Sequence, residues 1–278
     1  KDLVRFNYES REDMFDGVSY NKGGGILHML RNYLGDDAFF AGLSDYLKTN
    51  EYGTGEAHQL RLSLEKVSGK DLNWFFNQWY FGKGYPKLEV KSTFDPMKKQ
   101  VTVNVAQTQE EKFEFPLSID VLENGKISRK EVWVTAKSKN DFVFDVTKNP
   151  ELINANPEGL LLSDIKQDKT PEQLFLQYTT AKDLYSKYTA IEEAKDQVSK
   201  NPFADKLYAA ALKDKFYRNR LLALEGLPED PKSFLADVEK LAQNDEKNLV
   251  KGAAIGVLAK TKNPKYLKTK YGAGYIFG

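Results

Sequence analysis

Asp16-Gly-Val-Ser-Tyr-Asn-Lys-Gly-Gly-Gly25, with the apolar run that follows it to Leu34, is the stretch around which the chain is organised. Three glycines after Tyr20-Asn21-Lys22 let the backbone approach something closely, or let a second element pack without side chains in between. Behind them Ile26, Leu30, Tyr33 and Leu34 recur at helical spacing, and Gly35 marks the stop. Composition alone reads this as a loop feeding a buried helix.

Working outward, residues 1–84 predict a short entry segment and four helices. The second helix starts at Asp36 or Asp37, either of which can cap free amides, and carries Phe39, Leu43, Tyr46 and Leu47 on one face. The third follows Glu56, repeats Ala57, Leu60, Leu64 and Val67, and ends at Gly69. The fourth is capped by Asp71 and presents Leu72, Phe75, Phe76 and Trp79. Short loops predict antiparallel neighbours in one helical layer.

At Gly84-Tyr85-Pro86 the period changes to two. Leu88 and Val90, then Val101, Val103 and Val105, then Phe113 to Val121 and Val132 to Val146 alternate apolar with polar residues. Asn124-Gly125 fits a type I′ hairpin turn without strain. Five or more half-buried antiparallel strands over 85–166 read as a small β-sandwich. Asn149-Pro150 through Gly159 reads as loop, and Leu160-Leu-Leu162 as a return to a buried strand or edge.

From Thr170-Pro171 the chain is helical again and repeats itself. Asp214, Arg220, Ala223, Leu224 and Leu227 align with Asp245, Lys251, Ala254, Ile255 and Leu258. A third copy places Lys187, Ala190, Ile191 and Ala194 against Arg220, Ala223, Leu224 and Leu227. A period just above thirty, with a basic residue three before a small one, resembles HEAT-type hairpins over 167–278. A basic residue at that position ordinarily bonds to a neighbouring carboxylate. The pattern fades from Lys268 to Gly278, so this helical region is expected to be truncated or disordered at its end.

The 278 residues are 41% hydrophobic and 29% charged, as in a soluble globular protein, with a net charge of +1. No broad field of one sign is implied, so nucleic acid is not an expected partner. There are no cysteines, which excludes disulfides and thiolate metal sites. No apolar run approaches the roughly 18 residues that span a bilayer. The chain opens at Lys1 without Met or signal peptide, so a piece of a longer polypeptide is expected. The compartment stays open, with an extracytoplasmic setting ranked ahead of a cytoplasmic one.

The residues alone offer little chemistry. The two histidines, His28 and His58, fall on different predicted helices, and neither belongs to a His-Glu-x-x-His. Both read as helix residues with local partners. No Gly-x-Ser-x-Gly elbow is present. The glycine run lacks the Lys-Ser/Thr of a phosphate-binding loop. The aromatic run from Trp74 to Phe81 reads as core packing, because helical spacing puts Phe75, Phe76 and Trp79 on one face.

The wording of the motifs adds more. Tyr20-x-Lys22-Gly23-small-x-x-apolar-x-Met29-Leu30, then Leu34-Gly35-Asp36-x-x-Phe39, then Trp74-Phe-Phe-x-Gln-Trp79 before Gly84-x-Pro86, resembles the gluzincin (aminopeptidase N-like, M1-type) zinc aminopeptidases. The likeness is to the half of their catalytic domain that does not carry the metal. It is specific over residues 14–86, fair to about 165 and architectural beyond.

The resemblance implies an α+β multidomain fold: the helical half of a thermolysin-like catalytic domain at 1–84, a β-sandwich at 85–166 and a HEAT-like helical domain at 167–278. It implies that the Tyr20 hydroxyl stabilises the oxyanion of peptide hydrolysis, while Lys22 and Gly23 hold the turn. A phenol keeps its proton at neutral pH and can donate it to a developing negative charge. Gly24 and Gly25 depart mildly from the Ala often found after that Gly. Zinc is implied for the parent protein and no metal ligand for this chain, which is then inactive alone. The implied partners are the N-terminal zinc-binding half of the same polypeptide and peptide substrates. The alternative is a superfamily member that has lost its metal site and serves as a protein-binding scaffold.

Overall fold

A computed structural model describes residues 3–4 and 8–262, together with the backbone of 267–269 and 275–277. It holds a four-stranded sheet of order β5-β2-β1-β7, a three-stranded sheet of order β4-β3-β6 and a two-stranded ribbon β8-β9. The strands are β1 Lys87–Asp95, β2 Gln100–Gln107, β3 Phe115–Glu123, β4 Lys126–Val134, β5 Lys139–Asp145, β6 Leu152–Ala155, β7 Asp164–Lys166, β8 Leu267–Thr269 and β9 Tyr275–Phe277. Mixed helix and sheet is therefore the fold class, and the chain divides into two compact units.

The first unit comprises Lys1–Ile119, Arg129–Asn149 and Gly159–Gln167. Its helices are α1 Gly23–Leu34, α2 Asp36–Thr49, α3 Ala57–Ser68 and α4 Asn73–Trp79. Ile26, Met29 and Leu30 bury one stripe of α1. Gly35 ends α1 at φ 83° and also stands at the N-cap of α2. That corrects the expectation that Asp36 or Asp37 caps α2. Asp36 instead takes both prongs of the Arg31 guanidinium, at 2.8 and 2.7 Å. Gly69 closes α3 in the left-handed region at φ 68°, where a Cβ would be strained.

The apolar faces of α2 and α3 also differ from expectation. Leu47 and Val67 are exposed, while Gly42 and Ser63 are buried. The two helices meet where α2 has no side chain: a Cβ on Gly42 would lie 2.6 Å from Leu64 Cδ2 and 3.1 Å from its Cα. Helix α4 matches its predicted face, with Leu72, Phe75, Phe76 and Trp79 all buried. Asp71 Oδ1 accepts the amide of Asn73 at 2.8 Å and so caps α4 from one position further out than an N-cap. At the other end Gln78 behaves like a strand, donating to the Glu114 carbonyl at 2.9 Å and accepting its amide at 2.8 Å.

The period-two pattern forms the sheet. Strand β2 alternates strictly, with Val101, Val103 and Val105 buried. It pairs antiparallel with β1 and with β5, whereas β1 pairs with β7 in parallel. The prediction of antiparallel pairing throughout is corrected at that edge. Asn124 and Gly125 both have positive φ, 52° and 70°, as a type I′ turn requires. Two further expectations change place. Leu160–Leu162 is irregular and the strand begins at Asp164, while β6, fully buried, lies inside the stretch read as loop.

The second unit comprises Asp120–Ser128, Pro150–Glu158 and Asp168–Gly278. Its helices are α5 Pro171–Thr180, α6 Leu184–Ala194, α7 Pro202–Ala211, α8 Tyr217–Glu225, α9 Leu235–Asn244 and α10 Asn248–Lys260. Thr170 and Gln173 form a reciprocal cap with Pro171 at the first helical position. The aligned small residues Ala190, Ala223 and Ala254 are all completely buried in one core with Tyr208, Leu224 and Leu258.

Two of the three basic residues of the alignment, Lys187 and Arg220, have carboxylate partners, as expected, whereas Lys251 forms no ion pair among the described residues. Lys187 Nζ lies 2.9 Å from Asp214, and Arg220 donates Nε and Nη2 to Asp245 at 2.7 and 2.8 Å. Each aspartate also accepts the amide two residues on, Phe216 or Lys247, at 2.8 Å. The same device thus starts α8 and α10. The end of the chain, read as patternless, pairs β8 with β9 in antiparallel register. The other residues of that tail lie outside those described.

Candidate functional site

The quoted stretch folds as a single π-helical turn, Val18–Lys22, running straight into α1. Asp16 initiates it. Its Oδ1 accepts the amides of Val18 at 3.1 Å and Ser19 at 2.9 Å, and its carbonyl accepts the amide of Tyr20 at 3.1 Å. π-turns of this kind are rare and concentrate at functional sites. The turn holds Tyr20 outward with 63% of its surface exposed, its ring 6.3 Å from that of Phe15. Phe15 is itself 66% exposed. Neither Asp16 nor Phe15 was singled out as a site residue in the sequence, although the Asx pattern of Asp16 ahead of a helix was legible.

Lys22 ends the π-turn, and Gly23 accommodates the change to α-helical pairing, donating its amide to the carbonyls of Tyr20 and Val18. The glycines do not behave as first expected. All three lie in helical backbone, and a Cβ would meet only ordinary contacts at Gly23 (Leu3 Cδ1, 3.5 Å) and Gly25 (Leu162 Cδ1, 3.5 Å). At Gly24 a Cβ would meet nothing within 4 Å. Packing among the described residues therefore does not require glycine here.

The far end of α1 is fixed electrostatically. Hydrogen bonds from Arg31 hold the Asp36 carboxyl below the usual carboxylate range, and the guanidinium lies 5.0 Å from the centre of the Phe40 ring. Met29 Sδ, on the buried face, accepts the Leu162 amide at 3.3 Å. Tyr33 packs against Trp74, with ring centres 5.6 Å apart, and carries Lys70 Nζ 4.3 Å over its face.

The histidines do not come together. The His28 carbonyl accepts Asn32 Nδ2 at 2.8 Å, while His58 stacks on Phe81 at 4.8 Å. Among the described residues no three His, Cys, Asp or Glu side chains form a group that could hold a metal ion. No described helix is long and apolar enough to cross a membrane.

Comparison with known proteins shows what this segment is similar to. The Peptidase family M1 domain matches residues 5–79. Over this segment the chain is similar to the M1-type aminopeptidases. It is 42% identical over 77 residues to the tricorn protease-interacting factor F2 of Thermoplasma volcanium, covering 28% of this chain and 10% of that protein. It is 28% identical over 165 residues to aminopeptidase N of Lactococcus lactis subsp. lactis, covering 56% of this chain and 19% of that protein. The fold of the whole chain resembles that of aminopeptidase A from Legionella pneumophila, crystallised with aspartic acid, with a TM-score of 0.77 at 16% identity. That likeness covers 94% of this chain and 38% of the other. The chain thus spans well under half the length of the relatives it matches.

Proposed function

We propose that this chain is part of a zinc-dependent aminopeptidase, in which Tyr20 donates its hydroxyl to the oxygen of the substrate carbonyl as that oxygen becomes negative. The observation that carries the reading is the outward placement of Tyr20 on a π-turn within the segment matched to the M1 domain. A phenol that donates to that oxygen favours the oxyanion over the neutral carbonyl. Lys22 and Gly23 position it by closing the turn. In this reading residues 1–84 are the helical half of a thermolysin-like catalytic domain, residues 85–166 a β-sandwich and residues 167–278 a HEAT-like region. The zinc ligands and the general base lie on residues outside this chain, which alone is inactive. Their N-terminal, zinc-binding half of the same polypeptide would be its partner, with N-terminal residues of peptides as substrate and an extracytoplasmic setting preferred.

A scaffold role without catalysis is the second reading. The names of relatives called tricorn protease-interacting factors favour it. Replacing Tyr20 by Phe in the whole protein separates the two, because a binding surface never develops the charge that the hydroxyl would stabilise.

A further inference from the structure

We infer that the outer edge of β5, in the first unit, is a self-association surface on which a second copy of this chain adds its own β5, antiparallel and in one register. β5 is the last strand of its sheet, and among the described residues β2 alone pairs with it. Two hydrogen bonds fix which of its residues face β2. The Gln107 amide donates to the Ser138 carbonyl at one end of the ladder, and the Val146 amide donates to the Lys99 carbonyl at the other, both at 2.9 Å. Bonded positions alternate along an antiparallel ladder, so Asn140, Phe142 and Phe144 turn their backbone groups toward β2. Lys139, Asp141, Val143 and Asp145 turn theirs to the open edge, and all four are exposed, Val143 at 55%. The strand holds no proline, and its register with β2 runs unbroken from Lys139 to Asp145, so neither a missing donor nor a bulge blunts this edge.

The order of the charges decides the partner and the register. Full antiparallel overlap of two β5 strands sets Phe142 opposite its own counterpart, Lys139 opposite the second copy's Asp145, and Asp141 opposite the second copy's Val143. Outward backbone groups then face one another, and a Lys–Asp pair stands directly across the strands at each end. Either neighbouring register that keeps those groups facing sets Asp141 against its own counterpart or against Asp145, both like-charge contacts. A parallel, in-register pairing sets every charge against its own kind. Within the chain the two aspartates are held by neutral amides, Asn104 Nδ2 on Asp141 at 2.6 Å and Gln100 Nε2 on Asp145 at 3.0 Å, which leave their charge uncancelled. Lys139 has no ion-pair partner among the described residues. Phe142, half-buried on the side of Val103, gains an aromatic cross-strand partner in its counterpart.

Seven residues per copy bury less than the roughly 800 Å² per partner of a stable complex, so the association is reversible and depends on concentration. None of these residues belongs to the Tyr20 turn, and the inference is independent of the proposed catalysis.

The test is sedimentation velocity of the 278-residue chain over a dilution series at low salt, where exposed charges are least screened. A monomer–dimer equilibrium is expected. Lys139→Asp and Asp145→Lys should each weaken it about tenfold or more, because two-fold symmetry repeats every new like-charge contact. Mixing the two variants in equal amounts should restore the dimer, since each cross-strand pair is then again of opposite sign. Val143→Pro should abolish it, removing an outward N–H while leaving the β2 ladder its own donors. Circular dichroism checks that the variants fold. A monomer at every concentration, a dimer indifferent to Lys139→Asp or to Val143→Pro, or a mixture that associates no better than its components would overturn the inference.

Discussion

Arg220 and Asp245 form a buried two-pronged ion pair, with Nε and Nη2 at 2.7 and 2.8 Å from the carboxylate and side chains only 9% and 3% exposed. The third guanidinium nitrogen, Nη1, donates to the carbonyls of Asp214 and Lys215 at 2.8 and 3.1 Å. One side chain therefore ties the loop before α8 to the loop before α10. Removing the carboxylate strands a charge in the interior, and Asp245→Ala is expected to cost about 3 kcal/mol in denaturant unfolding. Arg220→Lys should also be destabilising, because an ammonium cannot reproduce the fork. Wild-type stability in both variants would mean that the pair contributes nothing to holding the helices together.

Two glycines in neighbouring helices should respond to alanine with opposite signs. At Gly42 the new methyl would meet Leu64 Cδ2 at 2.6 Å, so Gly42→Ala is expected to lose about 1–3 kcal/mol through overpacking between α2 and α3. At Gly24 the methyl would meet nothing within 4 Å, and Gly24→Ala should gain up to about 1 kcal/mol from helix propensity. Chemical unfolding of the two variants side by side reads both signs. A stabilised Gly42→Ala would show that α2 and α3 are not in close contact there.

Asp214 gives the helical unit a specific acid sensitivity. Burial opposes its charge, but hydrogen bonds from Tyr178 (2.6 Å), the Phe216 amide and Lys187 (2.9 Å) outweigh it, and the pKa comes down to about 2. A carboxyl depressed on folding stabilises the native state above its unfolded value, near 4, and loses that contribution as pH falls toward about 2. The stability difference between wild type and Asp214→Asn should therefore be largest above pH 5 and shrink steadily between about pH 4 and pH 2. A difference that stays constant over that range would remove Asp214 as its source.

Local rules recovered the elements whose chemistry is local. Asn124-Gly125 turned the hairpin because both residues tolerate positive φ, Gly69 ended α3 for the same reason, and the Leu72, Phe75, Phe76 and Trp79 spacing set the buried face of α4. What depends on distant partners was not legible. Asp36 resembles a cap in sequence, but Arg31, five residues earlier, takes its carboxylate. Strand β6 is only four residues long, bracketed by Asn-Pro on either side. Its Asn154 is polar yet buried, and Lys169 Nζ and Ser186 Oγ supply its side-chain hydrogen bonds.

The candidate site was legible in a different way. Nothing in periodicity separates Tyr20 from the other tyrosines of a chain that has 15, and only the order Tyr-x-Lys-Gly marked it out. The π-turn that displays it depends on Asp16 capping through its side chain, a feature of geometry rather than of pattern.

The most direct test of the catalytic role proposed for Tyr20 is steady-state hydrolysis of an aminoacyl substrate by the whole protein carrying Tyr20→Phe, with Tyr33→Phe as control. Tyr33 packs against Trp74 and under Lys70, so its hydroxyl should be dispensable and kcat unchanged. If the Tyr20 hydroxyl acts only as the oxyanion forms, kcat should fall by about 10²–10³ with KM nearly constant, the signature of one lost transition-state donor. Wild-type kcat in a folded, active Tyr20→Phe protein would contradict the assignment and leave Tyr20 as an exposed tyrosine without a catalytic role.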